Sequence, residues 1–139
     1  MATLPSGLSD VIAPEEDLAR FLTQRSQFSR EIAEPSAFLP STTHRETSVS
    51  RHGAEPAEKL FEIGKAAAGK RTLYGAAIIK AEAVRAAKLI VVATEPPDRH
   101  AAIRQWPWPE DDDSRKAQQK ERAIILASRT TALVFFPTP

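Results

Sequence analysis

Two of the three histidines in this 139-residue chain directly follow an arginine, as Arg51-His52 before Gly53 and as Arg99-His100 ahead of Arg104 and Trp106-Pro107-Trp108-Pro109. Histidine titrates near neutrality, so it suits proton transfer. A guanidinium presents a planar fork that grips phosphate through two hydrogen bonds, and a tryptophan set between prolines offers a face on which a base can stack. The sharpest chemistry these residues allow is a general acid/base pair, His52 and His100, with Arg51, Arg99 and Arg104 binding an anion and Trp106 at the rim. That arrangement suits metal-independent cleavage of RNA or another phosphodiester. It requires two segments far apart in the chain to meet. The plainer alternatives are an Arg51 paired with a carboxylate, solvated histidines, and a Trp106 that pins its own loop to the core.

Other chemistries find less support. His44, His52 and His100 lack any recognised metal-ligand spacing, and no HExxH is present. The run Glu110-Asp111-Asp112-Asp113 lacks EF-hand spacing and better suits the positive end of a helix. No metal and no cofactor are therefore expected. There is no GxGxxG, Walker loop or GxSxG, which disfavours the nucleotide-binding and hydrolase folds built on them. Nineteen basic residues against eighteen acidic give a net charge of +1, too little for general attraction to a polyanion. Arg115, Lys116, Lys120 and Arg122 are interleaved with Gln118, Gln119 and Glu121 and read as a solvated helix face. The absence of cysteine excludes disulfides and thiolate chemistry and fits a cytoplasmic location. The first residues lack the basic and apolar parts of a secretory signal, and the apolar runs are too short to span a bilayer, so no membrane association is expected.

These residues need elements to position them. Pro14-Glu15-Glu16-Asp17 opens a predicted helix with Leu18, Phe21 and Leu22 on one face. Residues 26–40 lose that period and read as an irregular segment. A strand is predicted over 46–51. A helix opens at Pro56, with Leu60, Phe61, Ile63 and Gly64 inward and Gly69 at its end. Strands over 72–80 and 88–94 flank a short helix over 82–87. Residues 95–113 read as a long Pro- and Trp-rich loop, and residues 114–128 as a helix capped by Ser114 with Ala117, Ile124 and Ala127 buried. The apolar run 131–136 reads as a strand inside the sheet. The expectation is a single layered α+β domain over 1–139, with an N-terminal arm over 1–13. It has a mixed sheet of about four to five strands and three to four helices.

Glu46-Thr47-Ser48-Val49-Ser50-Arg51, the segment Leu73 to Ile79, and Arg99 to Pro107 together resemble a pattern in a family of small bacterial proteins with no assigned activity. The resemblance covers the chain from about Pro14 and implies no residue role. Members are expected to carry phenylalanine or tyrosine where Ser50 stands and glycine near Gln105. Two functions compete. The first is a non-catalytic accessory module of a bacterial cytoplasmic system, docking on a protein partner through residues 95–109 and 26–40. The second is a small enzyme cleaving RNA or a nucleotide phosphodiester, of the size of toxin or defence effectors. The enzyme requires Arg51, His52, Arg99 and His100 to converge on one pocket. The module requires exposed aromatic surface and scattered histidines. The sparse polar signature favours the module.

Overall fold

A computed structural model of the chain describes residues 2–137. Its centre is a six-stranded sheet in the order β6-β7-β4-β1-β5-β8, with every neighbouring pair antiparallel. In chain order the strands are β1 (Asp17–Leu22), β4 (Thr47–Ser50), β5 (Gly75–Lys80), β6 (Ile90–Ala93), β7 (His100–Arg104) and β8 (Ala132–Phe135). A separate ribbon pairs β2 (Phe28–Ser29) with β3 (Ile32–Ala33). Three helices complete the fold: α1 (Ala57–Ala68), α2 (Ala81–Ala86) and α3 (Asp112–Ser128). The α+β class is as expected, with more strands and no parallel pair. No helix among the described residues is long and apolar enough to cross a membrane.

Alternation along the strands divides the core in two. Leu18 and Leu22 of β1, with Ala77 and Ile79 of β5, belong to the larger apolar cluster, which takes in Phe38, Val84 of α2, and Ala123 and Leu126 of α3. Ala19, Ala76 and Ile78 form the smaller cluster with Leu60 of α1, and Phe21 packs against it. Successive side chains on a strand point to opposite faces, so α2 and α3 cover one face and α1 the other. Burying each large apolar side chain is worth roughly 1.5–3 kcal/mol, against about 0–1 kcal/mol for an exposed ion pair. These two clusters therefore dominate stability.

The predicted first helix is a strand. Residues 17–22 satisfy a helical stripe, and the fully buried Leu18, Ala19 and Leu22 fit one as well, so pairing decides. β1 pairs with β5 over six residues, Asp17 to Leu22, and is covered on both faces, where an apolar run without clean alternation is normal. A six-residue helix would also be marginal by itself.

The predicted loop over 95–113 contains β7, which pairs with both β4 and β6. The run 131–136 lies at the sheet edge as β8, with Phe135 46% exposed, and is not interior. In α3 the buried residues are Gln119, Ala123 and Leu126, and Ile124 is exposed. Its cap is Asp111, whose carboxylate accepts from Ser114 N at 2.8 Å. The expected helix from Pro56 to Gly69 is present as α1, with Leu60, Gly64 and Ala68 buried.

The N-terminal arm folds back onto the domain. Ser6 donates through both N and Oγ to the Glu95 carboxylate, Ser9 O accepts from Arg51, and Ile12 is buried. Met1, Thr138 and Pro139, which close the predicted 1–139 span, lie outside the described residues.

Candidate functional site

The β4–β7 ladder sets Ser50 directly opposite His100. Cross-strand partners project from the same face with their β-carbons about 4.5–5.5 Å apart. The period of two along the chain adds Ser48 and His52 to that face. This is the face on which α1 packs, but α1 sits over β1 and β5. Between α1 and the β4–β7 pair a cavity of about 520 Å³ remains. Ser48, Ser50, His52, Asp98 and His100 line it, together with Arg20, Arg71 and the apolar Phe21, Ile63, Ala67 and Pro97. Both candidate histidines thus reach one cavity.

His52 is buried between a hydroxyl and a carboxylate. Its Nδ1 is hydrogen-bonded to Ser50 Oγ, and its Nε2 lies 3.4 Å from Asp98 Oδ2. A neutral ring with its proton on Nε2, towards Asp98, leaves Nδ1 to accept the Ser50 hydroxyl. Burial lowers the His52 pKa, and Arg99 lowers it further against the opposing pull of Asp98. His100 is half-buried, and its Nδ1 meets Thr94 Oγ1 at 2.6 Å. Nε2 is the ring nitrogen left without a protein partner among the described residues. Burial lowers its pKa too, opposed by Glu46. Gly53 lets the chain leave His52 tightly, since a β-carbon there would come within 2.6 Å of the Asp17 backbone.

The other expected site residues do not join them. Arg51 is adjacent to His52 and so points away. It is buried in a two-pronged pair with Glu16, Nε at 2.6 Å and Nη2 at 2.8 Å, while Nη1 donates to Ser9 O. Its fork is full, and the anion role expected of it is withdrawn. Arg99 pairs with Glu55 at 3.1 Å and acts on His52 from the side. Arg104 is exposed and pairs with Glu46 at 3.2 Å. Trp106 is buried in the larger core cluster and forms no rim; its indole N–H has no hydrogen-bond partner among the described residues. Trp108 is partly buried and held beneath the guanidiniums of Arg45 at 4.8 Å and Arg115 at 5.9 Å. His44 is exposed and is not among the residues lining the cavity. Among the described residues no group of three or more His, Cys, Asp or Glu is placed to hold a metal ion.

Arg20 and Arg71 are among the cavity residues that the sequence reading does not single out, as are Ser50 and Asp98. Arg20 was concealed by its assignment to a helix, although a single charge inside the apolar run Leu18 to Leu22 is the kind of residue that marks a site. Arg71 follows the helix-ending Gly69 and gave no signal beyond a surface turn. No protein-family model, no curated protein and no solved structure matches the chain. The resemblance of residues 46–51, 73–79 and 99–107 to a bacterial family therefore rests on those residues alone.

Proposed function

We propose that this chain is a small metal-independent enzyme that cleaves a phosphodiester of a nucleotide or RNA, with His52 and His100 as its acid/base pair. The observation that carries this reading is the convergence of the two histidines on one cavity that also holds two arginines. An attacking hydroxyl, of water or of the substrate, gives its proton to the Ser50 oxygen as Ser50 passes its own to His52 Nδ1. The attacking oxygen bonds to phosphorus, the leaving P–O bond breaks, and protonated His100 donates from Nε2 to the departing oxygen. One proton is taken up and one released, so the pair resets by exchange with solvent. Both histidine pKa values are lowered, so His100 carries its proton only on the acid side of the ordinary 6.5. The rate should follow a bell with its optimum below that value.

The test is turnover of total RNA and of a panel of cyclic and linear nucleotide phosphodiesters, with chelator present. Wild type is expected to cleave at least one of them, and His52→Ala and His100→Ala each to lose about 100-fold or more with melting temperatures close to wild type. No turnover by wild type, or full turnover by both variants, overturns the reading.

A second reading, a non-catalytic module docking on a protein partner, draws on another region. A shallow hollow of about 710 Å³ lies between residues 26–39 and α3, lined by Phe28, Pro35, Leu39, Lys116 and Lys120. The same segment exposes Ile32 and Leu39. On that reading a stoichiometric partner is released by Leu39→Asp and retained by His100→Ala.

A further inference from the structure

Arg20 and Arg71 both line the cavity, yet neither has a carboxylate within ion-pair distance among the described residues. They are anchored by backbone carbonyls instead. β1 and β4 share a single residue pair, Ala19 with Ser50. Where the strands part, Arg20 Nη1 donates to Ser48 O at 3.0 Å, and its Nε donates to Ala37 O at 2.8 Å. Arg71 closes the end of α1, with Nε donating to Ala68 O and Nη2 to Ala67 O, both at 3.1 Å. This bonding leaves Nη2 of Arg20 and Nη1 of Arg71 without partners among the described residues. Carbonyl acceptors orient a guanidinium without cancelling its charge.

The charge around the cavity is therefore unbalanced. Two guanidiniums and two titratable histidines face one carboxylate, Asp98, which is largely exposed and sits beside His52. Burial, and then the repulsion of Arg71, bring the Arg20 pKa down to about 10. Elsewhere in the molecule Arg51, Arg99, Arg104 and Arg115 each sit against an acid, and Arg85 and Arg122 donate to backbone carbonyls outside the cavity. Arg20 is largely covered and lacks a counter-charge, which is costly unless an anion joins it, and Arg71 beside it is exposed and open to the same anion.

From this arrangement we infer that Arg20 and Arg71 form the subsite for a phosphate group of a nucleotide-sized ligand. Phosphate is the anion whose several oxygens can accept from both free guanidinium arms together. The cavity volume of about 520 Å³ fits one small molecule. The apolar wall of Phe21, Ile63 and Pro97 suits an uncharged portion such as a base or sugar face. A polymer would need a basic track continuing across the surface, and Arg99, which acts on His52, is paired with Glu55. The inference rests on the proposed function for its view of the cavity as the reacting site, and narrows the substrate to a small phosphodiester. The arginines hold the non-bridging oxygens of the phosphate and so turn its ester oxygens towards the histidine end, with Ser50 and His100, where the P–O bond breaks.

The experiment is calorimetric titration of the full chain with adenosine 5′-monophosphate, inorganic phosphate, adenosine and a twelve-nucleotide single-stranded RNA. Arg71→Gln is compared with wild type, and Arg71→Lys is the conservative control. Adenosine monophosphate is expected to bind at least tenfold more tightly than adenosine, with inorganic phosphate competing. Arg71→Gln is expected to lose about tenfold in that affinity, and Arg71→Lys to recover part of it as a less well matched cation. Loss of the helix-end bonds acts on melting temperature and on adenosine alike, so a purely structural role for Arg71 lowers both affinities equally. Equal binding of adenosine and its monophosphate, or no effect of Arg71→Gln, overturns the subsite. Binding of the RNA oligomer more than a hundredfold tighter than the mononucleotide overturns the small-ligand assignment. Histidine variants that lose turnover while phosphate binding ignores Arg71 would sink the subsite alone. Arginine-dependent binding without turnover of any ester would sink the catalytic reading alone.

Discussion

The two faces of the sheet around β4 are built to different ends. Towards α2 and α3, Val49 and its cross-strand partner Ala101 are buried in the larger core, and Arg51 projects from the turn just beyond into a full set of partners, Glu16 and Ser9. Towards α1, Ser50 meets His100 across the ladder, and Ser48, Ser50 and His52 border open space. One segment thus supplies an apolar and ion-paired side that holds the fold and a polar side that holds a cavity. Adjacent basic residues in a sequence are therefore poor evidence of a joint site on a strand. Arg51 and His52 are neighbours in the chain and act on opposite sides of the sheet. His52 and His100 are distant in the chain and share a wall.

Removing one side's partner should unfold without touching the other side's chemistry. Glu16→Ala leaves the Arg51 guanidinium, 2% exposed, without its counter-charge. Breaking such a pair costs about 3–5 kcal/mol when both groups are fully buried. Glu16 is 25% exposed, so about 2–3 kcal/mol is the expected loss, read by urea unfolding. At temperatures where the variant stays folded, binding of adenosine monophosphate should equal that of wild type. A variant as stable as wild type would show that Arg51 is idle, and the division of labour between the faces would fail.

The opposite manipulation fills the cavity and spares the core. Ser50→Phe places a ring between His52 and His100. The ring enters existing space but removes the hydroxyl bonded to buried His52 Nδ1, so stability should fall by about 1–3 kcal/mol. Affinity for adenosine monophosphate should fall at least tenfold, and turnover with it. Unaltered binding would place the ligand outside this cavity.

Much of the scaffold was legible in the residues and little of the site. α1 is announced by Pro56 and Gly69 at its ends, and α3 by the acids that cap it. β4, β5 and β6 carry β-branched or apolar runs. β1 was not legible because six residues between two covered faces fit a helical stripe equally well, and only pairing with β5 decides between them. β7 was hidden among prolines and tryptophans because His100-Ala101-Ala102-Ile103 has no clear alternation, with small alanines packed on both faces. The histidine cavity depends on the Ser50–His100 register, a long-range fact that no local pattern contains. The period of two in Ser48, Ser50 and His52 was visible, and would have separated His52 from Arg51. Arg20 and Arg71 belong to the site only because β1 and β4 part and α1 ends where it does.

The smallest expected effect is on stability against pH, and it distinguishes the two faces by their titration. His52 and His100 have pKa values held below the ordinary 6.5, with burial as the chief cause in both. Below 6.5 the unfolded chain takes up protons that the folded chain resists, so unfolding becomes easier as pH falls. The stability these neutral histidines preserve is complete above 6.5 and declines as pH drops from there towards their lowered values. Glu95 and Asp111, held down chiefly by hydrogen bonds from Ser6 and Ser114 respectively, act only lower, as pH falls below the ordinary carboxylate range. Between pH 8 and 5 the histidines therefore dominate this part of the profile. Urea midpoints across that range should decline for wild type and flatten in the His52→Gln, His100→Gln double variant. Glu16→Ala should shift the whole curve down without changing its slope, because the Arg51 guanidinium, its pKa raised, stays charged throughout. A double variant with the wild-type slope would mean that the histidines protonate as freely folded as unfolded, and that their cavity is as wet as bulk solvent.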